Sequence, residues 1–202
     1  MRFALFLLMI FSVTAEAAAI DRFKTFVRTT QAARANFEQK VYDRDRHLSQ
    51  ESKGSFAFQR PGRFRWVYDK PVDQVIVGDG DRVWIYDRGL AQVTVRKLAR
   101  ALGSTPAALL AGSTDVEKAF ELADAGTKDG LEWLEAKPKD REAGFEKIRM
   151  GFSASGLQAM ELSDNFGQTT ILRFIALEPN ARVDAKEFRF EPPKGADVLG
   201  EK

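Results

Sequence analysis

The sequence predicts an α+β, mainly β fold: a large, strongly curved antiparallel sheet of roughly eleven or twelve short strands, partly covered by short helices that can act as a movable cover over its concave face. Three observations lead there. Short segments of alternating apolar and polar residues recur along the chain, separated by glycine and Asp-Gly turns. Helical segments are too few and too short for an array of parallel β-α-β units. Residues 55–71, SFAFQRPGRFRWVYDKP, place Phe56, Phe58, Phe64, Trp66 and Tyr68 on one strand face, with Arg60 in the same parity. Compact core strands favour valine, isoleucine and leucine. A face paved with rings around one guanidinium fits a surface that holds something apolar and opens to receive it.

The elements follow in order. Arg2, the apolar run 3–13 and Ala15-Glu16-Ala17 have the pattern of a cleavable signal peptide over 1–17, with Ala17-Ala18-Ala19 allowing a cut after 19. The apolar run is short of the ~20 residues a membrane-spanning helix needs. A single domain over 18–202 is expected to follow in the periplasm. Ile20, Phe23, Phe26 and Val27 lie on one helical face, with Asp21 near its start. Ala35, Phe37, Gln39 and Val41 then alternate as a strand, and a polar turn is predicted over 45–52 before the aromatic strands.

Residues 75–77 and 83–86 flank Gly78-Asp79-Gly80-Asp81 as a hairpin. Both segments are apolar at successive positions, which leaves the inward face undecided. The stretch 92–95 continues the meander. Thr105 and Pro106 are placed to cap and begin a short helix ending at Gly112, and Thr114 with Glu117 has capping-box spacing. Strands are expected again over 120–123, 131–134, 148–152, 157–162, 169–177 and 188–190.

Little in the sequence points to catalysis. Cysteine is absent, which excludes disulfides, thiolate metal sites and a thiol nucleophile, and no lipidation cysteine follows the leader. His47 is the one histidine and falls in a polar turn. Asp79 and Asp81 lack the rest of a calcium loop and read as turn residues. Gly151-Phe152-Ser153-Ala154-Ser155-Gly156 is not a nucleophile elbow but a hairpin loop. The chain therefore reads as neither an enzyme nor a cofactor protein. Its formal charge of +2, with acidic and basic residues interleaved, argues against a nucleic-acid surface.

Four segments carry a resemblance: RPGRFRWVYDKP at 60–71, QVIVGDGDRVWIYD at 74–87, STPAALLAG at 104–112 and VDAKEFRFEPPKGADV at 183–198. In this order they resemble the periplasmic outer-membrane lipoprotein carrier (LolA) family. The resemblance implies a half-barrel of about eleven strands closed by a helical lid. It implies a chaperone that takes triacylated lipoproteins from an inner-membrane ABC transporter, LolCDE; the mature chain itself is expected to be a monomer. The carrier would shield their acyl chains and hand them to an outer-membrane receptor, LolB. The same fold also allows a carrier or sensor of another lipid. By the resemblance, Arg60 is the lid clamp, Phe64 is an aromatic involved in loading, and Leu110 and Met160 face the cavity from lid and sheet. Strand parity adds Phe56, Phe58 and Trp66, which with Phe64, Leu110 and Met160 are the expected lipid-binding residues. Ala107 and Ala108 are lid positions that are bulkier in some carriers.

Overall fold

The computed structural model describes residues 18–101, 110–112, 116–140 and 143–200. The predicted signal peptide, Thr105, Pro106, Ala107, Ala108 and Thr114 lie outside the described residues.

The first element is the predicted amphipathic helix α1, Ala18–Thr29, which buries Phe23, Phe26 and Val27. A meander follows: β1 Ala32–Tyr42, β2 Leu48–Gln59, β3 Arg63–Tyr68, β4 Gln74–Asp79, β5 Arg82–Asp87 and β6 Gln92–Lys97. The helical turn α2, Leu98–Ala101, leaves the sheet, and Leu110 and Ala111 are helical. The short helix α3, Val116–Ala119, leads into β7 Phe120–Lys128. Strands β8 Leu131–Pro138, β9 Phe145–Ser153, β10 Gly156–Asp164 and β11 Thr169–Pro179 complete a second meander. After β11 come a 3-10 helix, Ala185–Phe188, and β12, Asp197–Gly200.

All twelve strands form one open, curved sheet, ordered β12-β6-β5-β4-β3-β2-β1-β11-β10-β9-β8-β7. The β1–β11 pairing joins the two meanders. Directly opposed residues share a face, so the register defines the concave surface. Phe58 opposes Phe64, and Phe56 opposes Trp66. On the far wall Leu172, Met160, Met150 and Leu134 are aligned across β11, β10, β9 and β8. The helix α1 packs across β7–β10, with Phe26 meeting Phe58 and Phe152 edge-on at 6.4 and 6.2 Å.

The inward face of the 74–87 hairpin is now defined. Ile76 and Gly78 share the face of Trp66 and Phe64, while Val75 and Val77 point to the convex side. Both sides are covered, which is why neither was polar. The convex side is covered by the C-terminal segment: Phe188 is buried, and Phe190 lies 5.7 Å from the Trp84 ring and 5.9 Å from Tyr86.

Three expectations are corrected. Residues 188–190 are not a strand. Asp184 caps a 3-10 helix by accepting from Lys186 N at 2.9 Å, and Glu187 returns a capping-box contact to Asp184 N. The sheet is not wholly antiparallel, because β12 adds in parallel to the free edge of β6. The polar turn predicted over 45–52 is shorter. Leu48 through Ser52 continue β2, where ladder bonding to β1 holds polar residues in extended form.

Candidate functional site

The aromatic strands β2 and β3 bring five rings together. Phe56 stands 4.7 Å from Trp66 and 5.6 Å from Phe58, and Phe37 on β1 stands 4.4 Å from Trp66, measured between centroids. Tyr68 meets Phe37 edge-on at 5.3 Å. Glycine makes this arrangement possible. Gly78 lies opposite Phe64, and any Cβ there would intrude on the Phe64 ring. Gly54 lies between Phe37 and Tyr68, and lets their rings meet.

Phe56, Phe58, Phe64, Trp66, Leu110 and Met160 all fall in one buried apolar cluster, each at most 2% exposed. Leu110 belongs to the lid segment, Met160 to the far wall and the other four to the ring-paved face. Burying each such side chain contributes about 1.5–3 kcal/mol, so the contact between lid and sheet is strongly favoured. Phe23, Phe26, Phe37, Phe152 and Phe174 join the same cluster, although the sequence reading did not assign them to the site. The strand parity of Phe37 and the helical face of Phe23 and Phe26 were the signals available.

Arg60 sits where β2 ends, at the junction of α1, the lid segment and the sheet. Its Nε donates to Thr30 O at 3.0 Å, just past the end of α1, and its Nη1 donates to Gly112 O at 2.8 Å. The neighbouring Gly62 N–H donates to Ala111 O at 2.7 Å. These carbonyls are free to accept because helix ends lack onward partners. The guanidinium also lies over the rings of Phe58 and Phe26, 5.1 and 5.9 Å from their centroids. No carboxylate among the described residues pairs with it. Burial lowers its pKa to about 10, so the charge is held against a desolvation penalty.

One end of the concave face is polar. The Tyr68 hydroxyl donates to Gln39 Oε1 at 3.0 Å, reaching past Gly54. Burial pushes Tyr68 up to about 12, with Gln39 and Trp66 tempering the rise. The Trp66 indole N–H is directed at the Tyr68 hydroxyl as a weak donor but forms no hydrogen bond of normal length, and the buried Ser52 hydroxyl has no partner.

Other residues singled out from the sequence fall elsewhere. The His47 side chain is 80% exposed in the β1–β2 turn, beside Asp43. Asp79 organises the β4–β5 turn by accepting from Asp81 N, Arg82 N and the Trp84 indole. Ser153 and Ser155 share a hydrogen bond at the β9–β10 turn. The described residues contain no cluster of potential metal ligands and no helix long and apolar enough to cross a membrane.

Residues 28–191 match the family described as Outer membrane lipoprotein carrier protein LolA. A protein of that name from Nitrosospira multiformis is 48% identical over 202 residues, covering 99% of this chain and 98% of that protein. Another from Dechloromonas aromatica is 50% identical over 187 residues, covering 93% and 90%. The fold is shared with a LolA superfamily protein from Nitrosomonas europaea at 12% identity, with a TM-score of 0.50 and coverage of 84% and 95%. An uncharacterized conserved protein from Thermus thermophilus has a TM-score of 0.53 at 14% identity, covering 89% and 95%. At near-full length and about half identity, the curated relatives and the family match agree: this chain belongs to the outer-membrane lipoprotein carrier protein family, LolA.

Proposed function

We propose that the mature protein, residues 18–202 after removal of 1–17, is a monomeric periplasmic carrier of triacylated lipoproteins. It takes them from the inner-membrane ABC transporter LolCDE, shields their acyl chains between the ring-paved face and the lid, and delivers them to the receptor LolB. Phe56, Phe58, Phe64, Trp66, Leu110 and Met160 supply the apolar contact, and Arg60 holds the empty carrier shut. The observation that carries this reading is the closed seam itself. Apolar side chains of lid and sheet meet in one buried cluster, and the half-buried Arg60 donates to carbonyls at the ends of two helical segments.

The energetics match the task. An acyl chain gains ~0.8 kcal/mol per buried methylene, on the order of 10 kcal/mol for a chain of about sixteen carbons. Rings already packed together must part before a chain enters, so opening costs part of that gain and keeps the net affinity low enough for release. The test is to purify the protein from its own periplasm and identify co-purifying species by mass spectrometry. Triacylated lipoproteins are the expected cargo, whereas free lipids alone overturn the lipoprotein assignment.

A further inference from the structure

The polar end of the concave face carries hydrogen-bonding capacity that the protein does not use. Gln39 and Ser52 are directly opposed on β1 and β2, and Leu172 opposes Gln39 from β11. The Gln39–Tyr68 hydrogen bond closes part of the cluster. The buried Ser52 hydroxyl, opposite Gln39, has no partner, and the buried Trp66 indole N–H, directed at Tyr68, has none at normal length, so both flank the Gln39–Tyr68 pair. Buried polar groups without partners carry a desolvation cost, so two of them together mark a place built for something else to complete.

We infer that this cluster is a subsite for a neutral ester carbonyl, the acyl oxygen at the head of an ester-linked lipid chain. The indole can only donate, so the ligand must bring an acceptor. The register rows around the cluster hold Phe37, Gly54, Phe174, Leu172, Val41, Gln50 and Thr170 and no cation, which disfavours a carboxylate or phosphate. Beyond the cluster the face reaches water at the exposed Gln50, opposite Val41, so a head group held here stays hydrated. From Tyr68 to Phe64 the strand rises about 13 Å, and a chain anchored at this end runs beneath the rings toward Phe58 and Phe64. Trp66 thus orients the chain as well as covering it.

This subsite rests on the carrier reading, and its test separates the two. Equilibrium binding to the full mature protein is measured for a synthetic triacylated cysteine peptide and for its ether-linked analogue, which lacks the ester carbonyls. The same comparison is run for diester and diether phosphatidylethanolamine. Wild-type protein is expected to prefer the ester lipopeptide about tenfold, the factor contributed by one satisfied buried hydrogen bond. In Trp66→Phe that ratio should fall to about one, and in Ser52→Ala it should fall part of the way. Ester preference confined to the phospholipid pair supports the subsite but assigns it to a phospholipid. Equal binding of ester and ether by wild type overturns the subsite alone. Failure to bind any of the four lipids overturns the carrier reading with it.

Discussion

Tyr68 carries its hydroxyl into the interior of the sheet, and its acidity records the cost. Burial raises the folded pKa from 10.0 to about 12, so the folded protein holds the phenolic proton more tightly than the unfolded chain. Stability linked to that proton is fully present below pH 10 and is lost as pH rises from there to about 12. The full loss is about 2–3 kcal/mol. Urea unfolding of wild type and Tyr68→Phe across this window should show wild type losing its advantage as pH rises, and a constant difference would refute the linkage. Gly78 is a second residue whose effect lies in what it lacks. A methyl group there must displace the Phe64 ring, so Gly78→Ala should cost about 1–3 kcal/mol by overpacking. A thermal midpoint equal to wild type would show that the ring moves aside freely.

The C-terminal segment is the element that the sequence described least well. Phe188-Arg189-Phe190 alternates as a strand does, but its rings cover valines and aromatics on the convex side instead of joining the ladder there. A period of two does not distinguish those uses. The apolar runs in β4 and β5 were uninformative for a related reason: Ile76 faces the lid side while Val75 and Val77 face the C-terminal segment, so no polar position marks the outside. Strands covered on one face were legible. Phe56, Phe58, Phe64 and Trp66 fell on a common face by parity alone, as did Phe37 and Val41. The polar subsite was not legible, because Gln39, Ser52 and Trp66 become neighbours only through strand register and the gap at Gly54. Phe188 is the anchor of the C-terminal cover. Phe188→Ala should destabilise the protein by about 3–5 kcal/mol and quicken proteolysis within 185–200. An unchanged urea midpoint together with unchanged proteolysis would mean that the cover is held from elsewhere.

For the whole molecule, the proposed carrier role makes the closed state a balance between two apolar contacts that exclude each other. The lid and rings are satisfied by one another when no chain is bound, and an entering chain replaces those contacts instead of adding to them. Net affinity is therefore the acyl-burial gain less the opening cost. Arg60 donates to Thr30 O and Gly112 O, and in the proposed carrier these bonds add to that cost. Hydrogen bonds from a charged donor contribute roughly 1.5–3 kcal/mol each, and the desolvation already borne by this guanidinium offsets part of that. Removing the charge at constant apolar volume should cheapen opening by more than 1.4 kcal/mol net, which is about tenfold in affinity. Arg60→Leu is thus expected to fold, to accept lipoprotein at least as well as wild type, and to retain it at least tenfold longer when purified receptor is added. Transfer of labelled lipoprotein from each carrier to receptor measures this directly. The unfolding midpoint of empty Arg60→Leu serves as the internal check. If both folded carriers discharge at the same rate and to the same extent, the bonds at Thr30 and Gly112 do not restrain opening, and the cost must lie in ring packing alone.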